Sequence, residues 1–265
     1  VTGLGEEAGD ALTHHGDIDF VTFTGSPEVG TLVQKAAAER QLKCVLELGG
    51  KSPQIVFEDA DLERAATFVL KAITQNAGQT CSAGSRLLVQ RSIHDRFVAM
   101  VVERFRQSSA GAPAMDRDCG PLINAAQKAR VEGFIQRAMA SGVKLLAQGQ
   151  VAPGVPAGGY YVPPTLFGAV PRDHELACDE VFGPVLSVIP FDDEDDAVDR
   201  VVVEGSHGPE EQGPQARVLE DDLHQQRTRE EAAQRQRIDD EVRLDPGLDH
   251  EQAADFLKHD DPSIP

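Results

Sequence analysis

The chain has 265 residues, with 44 Asp and Glu against 25 Lys and Arg, a net charge of −19, four cysteines and no tryptophan. That balance excludes a nucleic-acid or anionic-membrane surface, which needs clustered Lys and Arg. No run of about 18 apolar residues exists, which excludes a transmembrane helix, and cysteines at 44, 81, 119 and 178 form no CxxC pair for zinc or redox work.

Residues 1–10 are neither basic nor continuously apolar and do not read as a secretory signal. A soluble, cytoplasmic protein with reduced thiols and no bound metal is the expectation. Gly3, Gly5 and Gly9 make a GxGxxxG pattern, one residue longer than the dinucleotide fingerprint and without a strand before it, so the motif is weak. Residues 18–23 (IDFVTF), rich in β-branched and aromatic side chains, predict a strand. Thr24, Gly25, Ser26 and Pro27 follow, and Pro27 suits the first turn of a helix with Val29, Leu32, Val33, Ala36 and Ala37 on its apolar face. Such a junction either caps the helix through Ser26 or Thr24 or binds a phosphate on free N–H groups, and both readings stand.

Residues 44–48 (CVLEL) predict a second strand, closed by Gly49 and Gly50. Glu47 sits at its C-terminal end, where open α/β sheets bind ligands, although an exposed corner carboxylate has the same signature. The double glycine lets backbone approach a ligand closely. A short apolar run at 55–57 precedes a helix capped by Asp61 and carrying Leu62, Ala65, Ala66, Val69 and Leu70. That helix leads into a small polar loop, 75–82 (QNAGQTCS). Backbone N–H groups there can activate the Cys81 thiol and hold an oxyanion, while a buried, inert cysteine is the competing reading. Cys44 lies inside an apolar strand, and Cys119 and Cys178 lack comparable flanking donors.

Further strands are predicted at 87–90, 143–147 and 185–191, with helices at 93–106 and 125–140. Strands alternating with helices imply an α/β fold whose largely parallel sheet is covered on both faces. In 178–184 (CDEVFGP), Glu180 and Phe182 precede a Gly-Pro turn, which could grip sugar hydroxyls and a flat ring or could be a plain surface turn. From residue 201 onward Phe256 is the sole aromatic, and acidic side chains outnumber basic ones by 17 to 7. Such a segment lacks the apolar content to offset its ordering entropy, with short helices conceivable at 219–235.

Taken together, FTGSPEVG, LELGGKSP, QNAGQTCSAGSRL, GPLIN, YYVPPTLF and DEVFGPVL stand in the order and spacing of the NAD(P)-dependent aldehyde dehydrogenase superfamily, which residues 1–198 resemble. The resemblance implies the distal part of a Rossmann-type cofactor domain at 1–47 and an α/β catalytic domain at 48–198. It implies oxidation of a small-molecule aldehyde to a carboxylic acid with NAD or NADP. Cys81 would be the nucleophile, passing through a thiohemiacetal and a thioester, and Glu47 the general base. Gly25 and Ser26 would contact the pyrophosphate, Leu48 and Gly49 the nicotinamide region, Glu180 the ribose and Phe182 the nicotinamide. The superfamily assembles as homodimers or homotetramers.

Superfamily members are longer, and their first cofactor-domain strands and later PFGG-type segment have no counterpart in this sequence. Residues 199–265 are therefore expected to be a non-family acidic tail, disordered or frame-shifted. An inactive remnant that only pairs with another chain is the alternative function, because an incomplete doubly wound sheet leaves open strand edges. An acylating enzyme that passes the thioester to coenzyme A is disfavoured by Glu47, a base suited to water.

Overall fold

A computed structural model describes residues 1–201, so the expected acidic tail beyond them, including 219–235, lies outside the described residues. In chain order, a single helical turn at Gly5–Gly9 runs into α1 (Asp10–Thr13), followed by β1 (Phe20–Gly25), α2 (Pro27–Glu39) and β2 (Lys43–Leu48). Next come β3 (Pro53–Val56), α3 (Leu62–Thr74), a 3-10 turn at Gln75–Gly78, β4 (Arg86–Gln90), α4 (His94–Gln107) and β5 (Ser109–Ala110). The order closes with α5 (Ala125–Ala140), β6 (Lys144–Gln148), β7 (Gln150–Val151), β8 (Thr165–Gly168), α6 (Glu175–Cys178), β9 (Val185–Phe191) and α7 (Glu194–Val201).

Five strands form the main sheet in the order β3-β4-β9-β8-β6, parallel except where β6 runs antiparallel to β8 across a register shift between Leu145 and Ala147. Side chains alternate across it, as the pleat requires. Leu87, Val89, Leu166, Leu186 and Val188 meet the apolar faces of α3 and α4. Leu88, Phe167, Val185, Ile189 and Phe191 meet Val131, Phe134 and Ala138 of α5 on the other side. Each such side chain, taken fully out of water, contributes about 1.5–3 kcal/mol. The expected parallel sheet covered on both faces is thus present.

A separate parallel pair, β1-β2, differs from that expectation: its strands alternate half-buried and exposed residues, and Phe20 and Val45 lie on the exposed face. Period-two alternation is what a strand covered on one side requires. Helix α2 covers the inner side so closely that a Cβ at Gly30 would press on Leu48, the reason a glycine sits mid-helix there. Parallel register pairs Thr24 with Glu47 and Gly25 with Leu48, so the two strands end together.

Strand β8 went unread in the sequence. It has four residues, all buried, and follows Pro163-Pro164, a pair that suggests a loop. Arg86, buried at the start of β4, donates to the carbonyls of Lys51 (2.6 Å), Arg200 (2.6 Å) and Val201 (2.9 Å), which ties the end of α7 to the sheet. Among the described residues no helix is long and apolar enough to cross a membrane.

Candidate active site

The shared end of β1 and β2 opens onto a cleft of about 760 Å³. All eight residues singled out in the sequence line it: Gly25, Ser26, Glu47, Leu48, Gly49, Cys81, Glu180 and Phe182. Three walls meet there: the β1-β2 edge with the N-terminus of α2, the loop that carries Cys81, and the loop that carries Glu180 and Phe182.

On the first wall Ser26 is the helix cap, its Oγ accepting from the Val29 N–H (3.4 Å), with Pro27 at the first helical position. Of the two cap candidates read in the sequence, Ser26 rather than Thr24 fills the place. The dipole of this 13-residue helix favours an anion at the cleft. Glu47 is exposed near the end of β2. At Gly49 the Glu180 carboxylate occupies the space a Cβ would take. The Gly50 N–H donates to Glu180 Oε1 at 3.4 Å.

The second wall is a tight turn. Asn76, Ala77 and Gly78 adopt φ values of +52°, +56° and +71° in succession, a left-handed run that ends α3 and turns the chain toward Cys81. The Asn76 amide donates to the Gln79 carbonyl (3.0 Å), the Gln79 amide donates back to the Asn76 carbonyl (3.1 Å), and Gln79 Oε1 accepts from the Ile123 N–H (2.9 Å). Gly78 packs on the carbonyl of Gly183, leaving no room for a Cβ. The thiol loop and the Glu180 loop therefore touch backbone to backbone.

The four thiols are free and differ in surroundings. Cys81 is exposed and faces the cleft, so the competing reading of a buried, inert cysteine does not describe it. Cys44 is half-buried in β2. Cys119 is buried, and burial pushes its thiol up to about 12. Burial also pushes the Cys178 thiol up, with the neighbouring Asp179 carboxylate adding to the effect.

On the third wall, Phe182 has φ +56°, a strained value for an aromatic residue. Helix α5 holds that loop by its carbonyls. Gln127 donates to the Val181 (3.2 Å) and Phe182 (2.7 Å) carbonyls, and Arg130 donates to the Glu180 carbonyl (2.8 Å). Partial burial raises the Glu180 carboxyl, opposed by the Gly50 N–H and by the positive charges of Arg130 and Lys51.

Sequence reasoning missed Gln79, Thr80, Gln127 and Arg130, which also line the cleft. The one local signal for the last two was polar spacing at i and i+3 in the first turns of a helix capped by Asn124. The Gly3–Gly9 pattern lies away from this cleft, on the exposed helical turn before α1 rather than in a loop after a strand. Among the described residues no group of three or more His, Cys, Asp or Glu is arranged to hold a metal.

A family model described as the aldehyde dehydrogenase family matches residues 1–201. The chain is similar to the crystal structure of a Burkholderia cenocepacia protein assigned as an aldehyde dehydrogenase, at 50% identity and TM-score 0.74, over 76% of this chain and 42% of that one. It is similar to an aldehyde dehydrogenase from Bacillus cereus in complex with NAD+, at 40% identity and TM-score 0.70, over 75% of this chain and 40% of that one. An NAD-dependent aldehyde dehydrogenase from Sinorhizobium meliloti is 41% identical with TM-score 0.70, over 76% of this chain and 39% of that one. The chain thus spans about two fifths of the length of the structures it matches.

Proposed function

The chain belongs to the aldehyde dehydrogenase family, and on that premise we propose that its cleft oxidises an aldehyde to a carboxylic acid with NAD+ or NADP+, Cys81 acting as nucleophile and Glu47 as general base. The observation that carries this reading is a single cleft joining an exposed thiol, a carboxylate and a set of groups suited to a dinucleotide. Those groups fit: the N-terminus of α2 beside Gly25 and Ser26 turns the positive end of its dipole toward a pyrophosphate. Glu180 offers a carboxylate to ribose hydroxyls, and Leu48, Gly49 and Phe182 line the same cleft and could take a planar ring. When bound, the nicotinamide supplies the two-electron acceptor that aldehyde oxidation requires.

The chain's own residues do the rest. The Cys81 thiolate attacks the aldehyde carbon, a C–S bond forms, and the carbonyl electron pair moves to oxygen. The Cys81 N–H, without a hydrogen bond among the described residues, is an available donor for that oxyanion. At the thioester stage Glu47 takes a proton from water as the water oxygen attacks the same carbon. The C–S bond then breaks, its electron pair returning to Cys81 and the acid departing.

Formation of reduced nicotinamide by the chain, mixed with NAD+ and an aldehyde, tests the reading. Cys81→Ala abolishes it, and Glu47→Gln leaves a first burst of about one equivalent per chain with slow turnover after it. A Cys81→Ala variant that oxidises aldehyde at the wild-type rate overturns the assignment.

A further inference from the structure

Gln79 stands two residues before Cys81 and lines the same cleft, yet both ends of its side-chain amide are taken up by backbone. Its Oε1 accepts from the Ile123 N–H (2.9 Å), and its Nε2 donates to the Asn76 carbonyl (3.1 Å). That carbonyl also accepts from the Gln79 N–H (3.1 Å), and the Asn76 amide donates back to the Gln79 carbonyl (3.0 Å). Residues 76 and 79 thus hold one another across the left-handed run, in which Asn76 and Ala77 take φ values that side chains disfavour. Such a run persists only where its surroundings enforce it. The bond to Ile123 leaves the loop. Ile123 lies immediately before Asn124, the cap of α5, so Gln79 joins the thiol loop to the start of the helix whose Gln127 and Arg130 grip the Glu180 loop.

We propose that Gln79 is a positioning residue for Cys81: its amide clasps the left-handed turn and pins it to the Ile123 N–H, so that the thiol is presented to the cleft from a turn fixed in the frame of α5. The part concerning reaction rests on the function proposed above; the clasp does not. Methionine at 79 matches the side chain in length and makes neither bond. Glutamate keeps an oxygen for the Ile123 N–H and, when ionised, loses the donor to Asn76. In either variant the Glu180 loop keeps its other supports, the bonds from Gln127 and Arg130 and the contact of Gly78 with Gly183. The loss therefore falls on the sulfur and spares the groups suited to a cofactor.

Amide hydrogen exchange in the full chain, followed by NMR, reads the clasp without cofactor or turnover. The Ile123 N–H is protected in wild type and in Gln79→Glu and exchanges about tenfold faster or more in Gln79→Met, while the Gln127 N–H, held by Asn124, keeps its rate. With NAD+ and an aldehyde, Gln79→Met lowers kcat roughly ten- to a hundredfold and leaves the NAD+ dissociation constant, read by calorimetry, within about twofold of wild type. An unprotected Ile123 N–H in wild type overturns the proposal, as does an unchanged exchange rate in Gln79→Met. A Gln79→Met variant that keeps the wild-type kcat, or that loses NAD+ affinity as steeply as kcat, overturns it as well. If Ile123 exchange quickens while neither protein oxidises aldehyde, the clasp stands and the aldehyde reading is what fails.

Discussion

Lys51 is buried, 7% exposed, and its ammonium has no hydrogen-bond partner among the described residues, so it bears on stability with a sign that can be worked out. Its folded value of about 8 lies below the 10.5 of an unperturbed lysine. Below about 8 the lysine is charged in both folded and unfolded chains, and the fold bears the whole desolvation cost. Between about 8 and 10.5 the unfolded chain binds the extra proton, so stability rises with pH across that window. The full difference is about 3 kcal/mol. Lys51→Met, which keeps the buried stem and removes the charge, is accordingly more stable than wild type at pH 7 by up to about 3 kcal/mol in urea unfolding. The gain shrinks toward zero as pH approaches 10.5. Equal stability at pH 7, or a difference that ignores pH, would show that the ammonium is not buried as described.

Among the elements, the left-handed turn at Gln75–Gly78 is the joint of the site. Gly78 combines a positive φ with backbone contact to Gly183, whereas Gly142, just after α5, has φ +86° and open space around it. Gly142→Ala thus incurs only the left-handed penalty, roughly 1–2 kcal/mol. Gly78→Ala adds an overlap with the Gly183 carbonyl, so it lowers unfolding stability more than Gly142→Ala and weakens NAD+ binding as the two loops separate. Equal losses in the two variants would contradict the close approach. The sequence made the regular elements readable where periodicity was strong: α5 and β9 match their expected spans, and Asp61 caps α3 through the Arg64 N–H (3.1 Å). Strand β8 was illegible because four buried residues after two prolines carry neither alternation nor length. The turn at 75–82 was legible as a loop, but not its three successive left-handed residues, since Asn76 and Ala77 are ordinary in a helix and only the contact with Gly183 demands the turn.

For the molecule as a whole, each site motif was ambiguous by itself. Glu47 could have been a corner carboxylate, Ser26 a cap and Glu180 a surface residue; Ser26 is indeed a cap as well as a cleft residue. What joins them is long-range. Register pairing sets Gly25 beside Leu48, and Glu180 reaches Gly49-Gly50 from a loop far along the chain, neither of which a local pattern reveals. The grip of Gln127 and Arg130 on the carbonyls of the Glu180 loop was hidden for the same reason, because a bond to backbone leaves no mark on the partner's residue type. Likeness to solved structures at 40–50% identity extends over about three quarters of the chain and fits that assembly. The central claim is that one sulfur carries the reaction. The chain is mixed with NAD+ and an aldehyde, quenched in acid within the first turnover, digested and mapped by mass spectrometry. The account predicts the acyl mass on the peptide that contains Cys81 and its loss in Cys81→Ala; an acyl group on any other side chain would contradict it.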